Sequence, residues 1–251
     1  GSILHRPDCV EAVGRCGLDL NRLAHEVAAI QNLAPTVALL WSPSSVVLGK
    51  NHEHTLADAY EAANFLGQPL GFATEEKLAA LARTGVRPRP LDSAKVLILP
   101  SVSHLPDEAR AGLDRLRAAG VKVAVYGEAP TRSDYNQPRD AAGFEALPVA
   151  KETAALFADL NARAAAWGLP PALQAVDVAG RPVFGVEVRA APFGGGAVAS
   201  VCNHLREARC VGLAGAEGRT LTDLITGRGL GATFVAEPMT PLLVRVEADK
   251  R

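Results

Sequence analysis

Apolar positions near the start of the chain recur at helical spacing. Leu20, Leu23, Val27 and Ile30 form one stripe, while Asn21, Arg22, His25 and Glu26 take the polar side. Asp8 and Glu11 have the spacing of a capping box, and Pro35 biases its predecessor away from helix. The pattern therefore predicts one helix over residues 8–31.

From Thr36 the period changes. Thr36–Trp41, Lys95–Leu99 and Val121–Tyr126 are continuous apolar runs, as expected of strands covered on both faces. A shorter strand is predicted at Leu70–Ala73. Helices are predicted at Leu56–Leu66, at Glu75–Ala82 and after Pro106, where Asp107 and Glu108 suit the positive end of a helix dipole. This β-α-β-α-β-α-β order predicts an open, mostly parallel α/β sheet with helices on both faces. Residues 127–150, with Pro130, Pro138 and Pro148, read as irregular, and Glu152–Trp167 as a further helix. After Pro171 the pattern shifts to short strands separated by glycines, at 173–178, 183–189, 197–203, 209–214, 220–224, 230–235 and 242–247. Turn signals at this frequency predict a small antiparallel β-sandwich, with Gly194-Gly195-Gly196 as a hairpin connection. Three regions are expected: a helical segment over 1–34, the parallel-sheet domain over 35–170, and the β-domain over 171–251.

Composition narrows the partners. The 251 residues carry a net charge of -1, with 48% hydrophobic and 21% charged residues, so no nucleic-acid or membrane-surface partner is expected. No apolar run approaches the roughly 18 residues of a membrane span. No signal peptide opens the sequence, and Gly1-Ser2 has the look of a cleaved-tag remnant. Cys9, Cys16, Cys202 and Cys210 lack C-x-x-C spacing; a disulfide between Cys202 and Cys210, read as lying on neighbouring strands, stays open.

Candidate chemistry belongs at the carboxyl ends of the parallel strands. Ser42-Pro43-Ser44-Ser45 lacks the glycines of a phosphate loop. Asn51-His52-Glu53-His54 offers an H-x-H pair but no third metal ligand at suitable spacing, so it reads as an exposed polar loop and no metal or cofactor is expected. Ser101, Ser103 and His104 lie together without a glycine elbow around them, which leaves a serine hydrolase as one alternative. Paired carboxylates for glycosidase chemistry, about 5–5.5 Å apart in retaining enzymes, find candidates only in Glu128 with Asp134 and Glu75 with Glu76.

Several segments resemble known proteins. "HRPDCVEAVGRCGLDLNRLAHEVAAI" resembles the end of a catalytic barrel in family 42 glycoside hydrolases of β-galactosidase type. "TVALLWSPSSVV", "AYEAANFLG", "GFATEEKLA" and "AKVLILPSVSHLPDEARAGLDRLRAAGVKVAVYGE" are similar to the trimerization domain that follows the barrel, a flavodoxin-like fold related to class I glutamine amidotransferases. "VCNHLREARCVGLAG", "LTDLITGRG" and "EPMTPLLVRVE" resemble the C-terminal β-domain. The turn at Val125-Tyr126-Gly127-Glu128-Ala129, where the amidotransferases carry a nucleophilic cysteine, has none. The family's two catalytic glutamates lie on barrel strands upstream of every residue here, so the resemblance implies no catalytic residue in this chain. It implies an accessory, oligomerising role, with the barrel of the parent protein and further copies of the chain, three in all, as partners. Trp41, His52, Arg132 and Tyr135 are then candidates for an interface or cleft rim. The stripe on the first helix would pack on the parallel-sheet domain or at a subunit contact. An active amidotransferase-like or esterase-like hydrolase and a carbohydrate-binding module are the alternatives; only Phe184, Phe193 and Phe234 supply aromatic rings after residue 170.

Overall fold

The computed structural model describes residues 5–140 and 143–248; the Gly1-Ser2 pair lies outside them. In chain order the elements are α1 (Pro7–Arg22), α2 (Ala24–Gln31), β1 (Val37–Trp41), α3 (Pro43–Leu48), α4 (His52–Asn64), β2 (Leu70–Thr74), α5 (Glu75–Thr84), β3 (Val96–Pro100), α6 (Asp107–Ala118), β4 (Lys122–Tyr126), β5 (Glu145–Leu147) and α7 (Thr153–Ala164). There follow β6 (Gln174–Val176), β7 (Val186–Phe193), β8 (Gly196–Asn203), β9 (Arg209–Ala214), β10 (Arg219–Asp223), β11 (Gly229–Leu230), β12 (Thr233–Ala236) and β13 (Leu242–Ala248). The chain divides into two compact units. One comprises Ala34–Gln174 with Pro182–Gly185; the other comprises Gly1–Leu33, Ala175–Arg181 and Val186–Arg251.

The first unit is an α/β layer structure around a five-stranded sheet ordered β2-β1-β3-β4-β5, parallel throughout. Alternation along each strand sorts side chains between two cores. Val37, Leu39, Val96, Ile98, Ala124 and Tyr126 face α4 and α7, where they meet Ala59, Ala63, Leu156 and Leu160. Ala38, Leu40, Leu97, Leu99, Val123 and Val125 face α5 and α6, where they meet Leu78, Leu81, Leu113 and Leu116. Each fully buried leucine contributes about 1.5–3 kcal/mol, which makes these two faces the main source of stability. Three helix boundaries follow local chemistry. Thr74 caps α5 by accepting the Lys77 N–H, Gly85 closes that helix at φ 73°, and Gly120, at φ 85°, sits just past α6.

The predicted irregular stretch 127–150 holds one more strand. β5 pairs in parallel with β4, and its Glu145 accepts Arg163 Nη1 at 2.5 Å and Trp167 Nε1 at 3.1 Å. These bonds tie a three-residue strand to the segment of α7.

The second unit holds two antiparallel arrangements. The larger is a five-stranded sheet ordered β11-β10-β13-β8-β7; in the smaller, ordered β12-β9-β6, β12 and β9 run antiparallel. The β7–β8 hairpin turns through Gly194 and Gly195, both at positive φ (58° and 80°), the conformation of a type I′ turn. The strand predicted over 230–235 is split between the two sheets as β11 and β12. Cys202 and Cys210 fall on β8 and β9, in different sheets, and the four cysteines are free thiols.

The single helix predicted over 8–31 breaks at Leu23 (φ -107°, ψ 22°). The break lets Leu23 bury with Ala191, Val198 and Leu243, so Leu23, Val27 and Ile30 of the stripe pack on the antiparallel sheet of their own unit, while Leu20 stays exposed. Glu26 of α2 accepts Arg245 Nη2 at 2.6 Å on the same face. α1 buries no residue. Among the described residues no helix is long and apolar enough to cross a membrane.

α5 and α6 approach closely at Gly112, where an added Cβ would stand 1.9 Å from the Leu78 carbonyl oxygen. Alanine is otherwise favoured over glycine inside a helix by about 1 kcal/mol. A backbone clash outweighs that preference, and overpacking costs about 1–3 kcal/mol. Gly112→Ala is therefore expected to lower stability in urea titration; a stabilised variant would mean the two helices separate freely.

Candidate functional site

The carboxyl ends of β1, β2 and β3 meet the N-termini of α3, α5 and α6, the position where open parallel sheets place their sites. An open cleft of about 620 Å³ lies there, lined among others by Pro43, Glu75, Pro106, Glu108, Asp134 and Tyr135. Behind it the crevice between β1 and β3 is filled by the protein's own polar groups.

Ser42 is the hub. It N-caps α3: its Oγ accepts the Ser45 N–H at 3.2 Å, and its hydroxyl donates to Glu75 Oε1 at 2.5 Å. Ser44 adds its N–H to Glu75 Oε1 (3.1 Å) and its hydroxyl to Oε2 (2.9 Å). The Ser45 hydroxyl donates to the His104 carbonyl (2.8 Å) while its Oγ accepts the His104 N–H (3.1 Å). The segment without phosphate-loop glycines thus opens a short helix that fastens β1 to the chain beyond β3.

His52 is the main correction. Its polar neighbours predict an exposed loop, but it begins α4 and is only 2% exposed. Nε2 accepts the Ser42 N–H at 3.0 Å, and Nδ1 lies 2.6 Å from the Pro100 carbonyl. A backbone N–H can only donate, so the proton sits on Nδ1 and the imidazole bridges the ends of β1 and β3. Burial is the largest influence on its pKa and pushes it below the ordinary 6.5, against the Pro100 bond and the Glu75 and Glu53 charges. His52 is therefore unavailable to a metal in this arrangement, and it stands behind the cleft rim. Trp41, at the end of β1, places its ring 5.5 Å from this imidazole.

The other rim candidates lie on the segment after β4. Tyr135 is 82% exposed and lines the cleft with Asp134. Arg132 is exposed; its Nη1 donates to Asn136 Oδ1 (3.0 Å), and its backbone exchanges bonds with Ser103 and Leu105. Of the carboxylate pairs, Glu75 is held by serines, whereas Glu76 turns to Arg83, which also binds Glu108 at 2.6 Å. Glu128 Oε1 accepts Asn51 Nδ2 at 3.1 Å, so it serves the loop before α4.

A sharp turn that no sequence pattern marks sits at Ser101, after the central strand β3. Its φ of 39° is a strained value for a residue with a Cβ. The Ser101 Oγ accepts the Glu128 N–H at 3.3 Å, and Gly127 must be glycine, because a Cβ there would lie 2.2 Å from that oxygen. Beyond it Ser103 Oγ, His104 and Asn136 align: Nδ1 lies 3.0 Å from Ser103 Oγ and Nε2 3.3 Å from Asn136 Oδ1. Since Asn136 Oδ1 already accepts from Arg132, Nε2–H donates to it and Nδ1 accepts the Ser103 hydroxyl. Hydroxyl, imidazole and amide stand in the order of a nucleophile, base and orienting group. Ser101, Ser103 and His104 are nevertheless all buried, and none lines the cleft. No glycine elbow announced the Ser101 turn. A clue to His52 was present: it sits at helical spacing before Leu56, Ala59 and Ala63, on the buried stripe of α4.

No protein-family model matches the chain, and no curated protein matches it. Solved structures do. The chain is similar to the apo exo-carrageenase GH42 of Bacteroides ovatus over 99% of its length, with a TM-score of 0.77 and 18% identity. It is similar to the β-galactosidase of Bacillus circulans sp. alkalophilus over 86% (TM-score 0.58, 12% identity) and to that of Rahnella sp. R3 over 84% (TM-score 0.58, 12% identity). It spans only 34%, 42% and 41% of those three chains. The chain thus has the fold of one part of GH42 glycoside hydrolases.

The buried serines yield a chemical test. A serine-directed fluorophosphonate is expected to leave the native chain unlabelled at Ser101 and Ser103, read by peptide mass spectrometry. Stoichiometric labelling of either would establish an active hydrolase.

Proposed function

We infer that the chain is a non-catalytic accessory region of a glycoside hydrolase of β-galactosidase type, and that its parallel-sheet unit serves assembly with further copies. The observation that carries this reading is the likeness over 99% of the chain to about a third of an exo-carrageenase GH42. The strand order β2-β1-β3-β4-β5 supports it, being the doubly wound order of flavodoxin-like sheets. So does the strand-end chemistry: Glu75, Glu76 and Glu108 are engaged by serines or Arg83.

In this reading the catalytic barrel is a preceding part of a longer parent protein. α1 leaves Val10, Val13 and Leu20 exposed within about one helix face, and this is the face on which the barrel would pack. Tyr135, Arg132 and Trp41 would border a contact with a neighbouring copy, with His52 supporting them from behind. Oligomer formation by amphipathic or rim surfaces of this kind needs about 1,000 Å² or more of buried area, more than the four candidate residues supply alone.

Light scattering on the chain tests the assembly role. The monomer is 26.2 kDa, and three times that mass is expected. A single species at the monomer mass would remove the assembly role.

A further inference from the structure

We propose that His52 is an acid-released latch: protonating its imidazole parts the ends of β1 and β3 and loosens the floor of the strand-end cleft. Both ring nitrogens are committed, Nε2 as acceptor of the Ser42 N–H at 3.0 Å and Nδ1 as donor to the Pro100 carbonyl at 2.6 Å. A second proton could go only on Nε2. It would then point at the Ser42 N–H, setting two donors against each other with no acceptor between them. Both residues are buried, so no water stands ready to take over either bond.

The consequence reaches beyond one hydrogen bond because of what Ser42 holds. Its hydroxyl anchors Glu75 on α5, and its Oγ caps α3, whose Ser45 binds both the N–H and the carbonyl of His104. Releasing Ser42 frees Pro43 and Glu75, two residues of the cleft lining.

The charged groups facing the imidazole are Glu53 on its own helix and Glu75 from α5, and both favour the protonated form. β1 contributes the Trp41 ring, the cap of α3 contributes Ser42, and β3 the Pro100 carbonyl. Glu128, beyond β4, binds Asn51 one residue before His52. Burial opposes the carboxylates and prevails, so the folded chain holds the neutral ring down to a pH below 6.5. The sign follows: a pKa lowered by folding gives a stability contribution that is complete above 6.5 and is lost as pH falls through the folded value.

Histidine ¹⁵N NMR on the unmutated chain, run alongside tryptophan emission from pH 8 to 5, tests the latch. The ring that contacts Trp41 is expected in the Nδ1–H form, titrating below 6.5, with a reversible emission change at the same midpoint. Glu75→Gln removes a charge that favours protonation and is expected to move that midpoint lower. His52→Gln keeps a donor and an acceptor but does not titrate, so its emission is expected to stay constant over this range. An Nε2–H tautomer, a midpoint at or above 6.5, or an unchanged acid transition in His52→Gln would each overturn the proposal. Should His52→Gln fail to fold, coincidence of the ring and emission midpoints in the unmutated chain decides.

Discussion

A parallel sheet covered by helices on both faces leaves its strand ends as the place where polar groups must find partners, and here Ser42 organises them. Its N–H, hydroxyl and Oγ engage His52, Glu75 and Ser45, and through them α4, α5 and the chain beyond β3. The apolar faces supply most of the free energy, but they do not decide how the loops lie. That choice falls to buried hydrogen bonds, each worth about 0.5–1.5 kcal/mol net when made and more when broken on one side only. The geometry of the cleft is therefore set by a few serines and histidines that contribute little to the core.

How far the chain could be read in advance follows from the same division. Val37–Trp41, Val96–Pro100 and Lys122–Tyr126 announced themselves because a doubly covered strand is apolar along its length. β5 did not, since three residues beside Pro148 carry no period, and its place depends on Arg163 and Trp167 reaching Glu145 from a distant segment. Leu23, Val27 and Ile30 of the first stripe were legible, whereas the break at Leu23 and the exposure of Leu20 were not. Nothing local marks the break; the sheet surface of Ala191, Val198 and Leu243 demands it.

The candidate site was less legible than the fold, for a related reason. Local polarity around His52 predicts exposure, and only its place on the α4 stripe with Leu56, Ala59 and Ala63 argues otherwise. A buried histidine among polar neighbours signals a satisfied acceptor and donor, which depend on Ser42 and Pro100, ten and forty-eight positions away. The Ser101 turn is likewise tertiary. Its strained φ is sustained by the bond of its own N–H to Tyr126 and by the acceptance of the Glu128 N–H, neither of which has a sequence signature.

The rule that open α/β sheets bind ligands beyond their carboxyl edge is a rule about geometry, and this chain separates the geometry from the chemistry. The space that a ligand would take between β1 and β3 is occupied by Ser42, Ser45 and the His104 backbone. The open cleft is displaced toward α5 and α6, where Arg83 spans Glu76 and Glu108 and Arg139 holds Asp107 at 2.7 Å. Exposed pairs of this kind contribute about 0–1 kcal/mol each and exchange partners readily. Polarising a reacting bond calls for fixed, unshared charge, whereas Glu76, Glu108 and Asp107 here share theirs with arginines of the same chain.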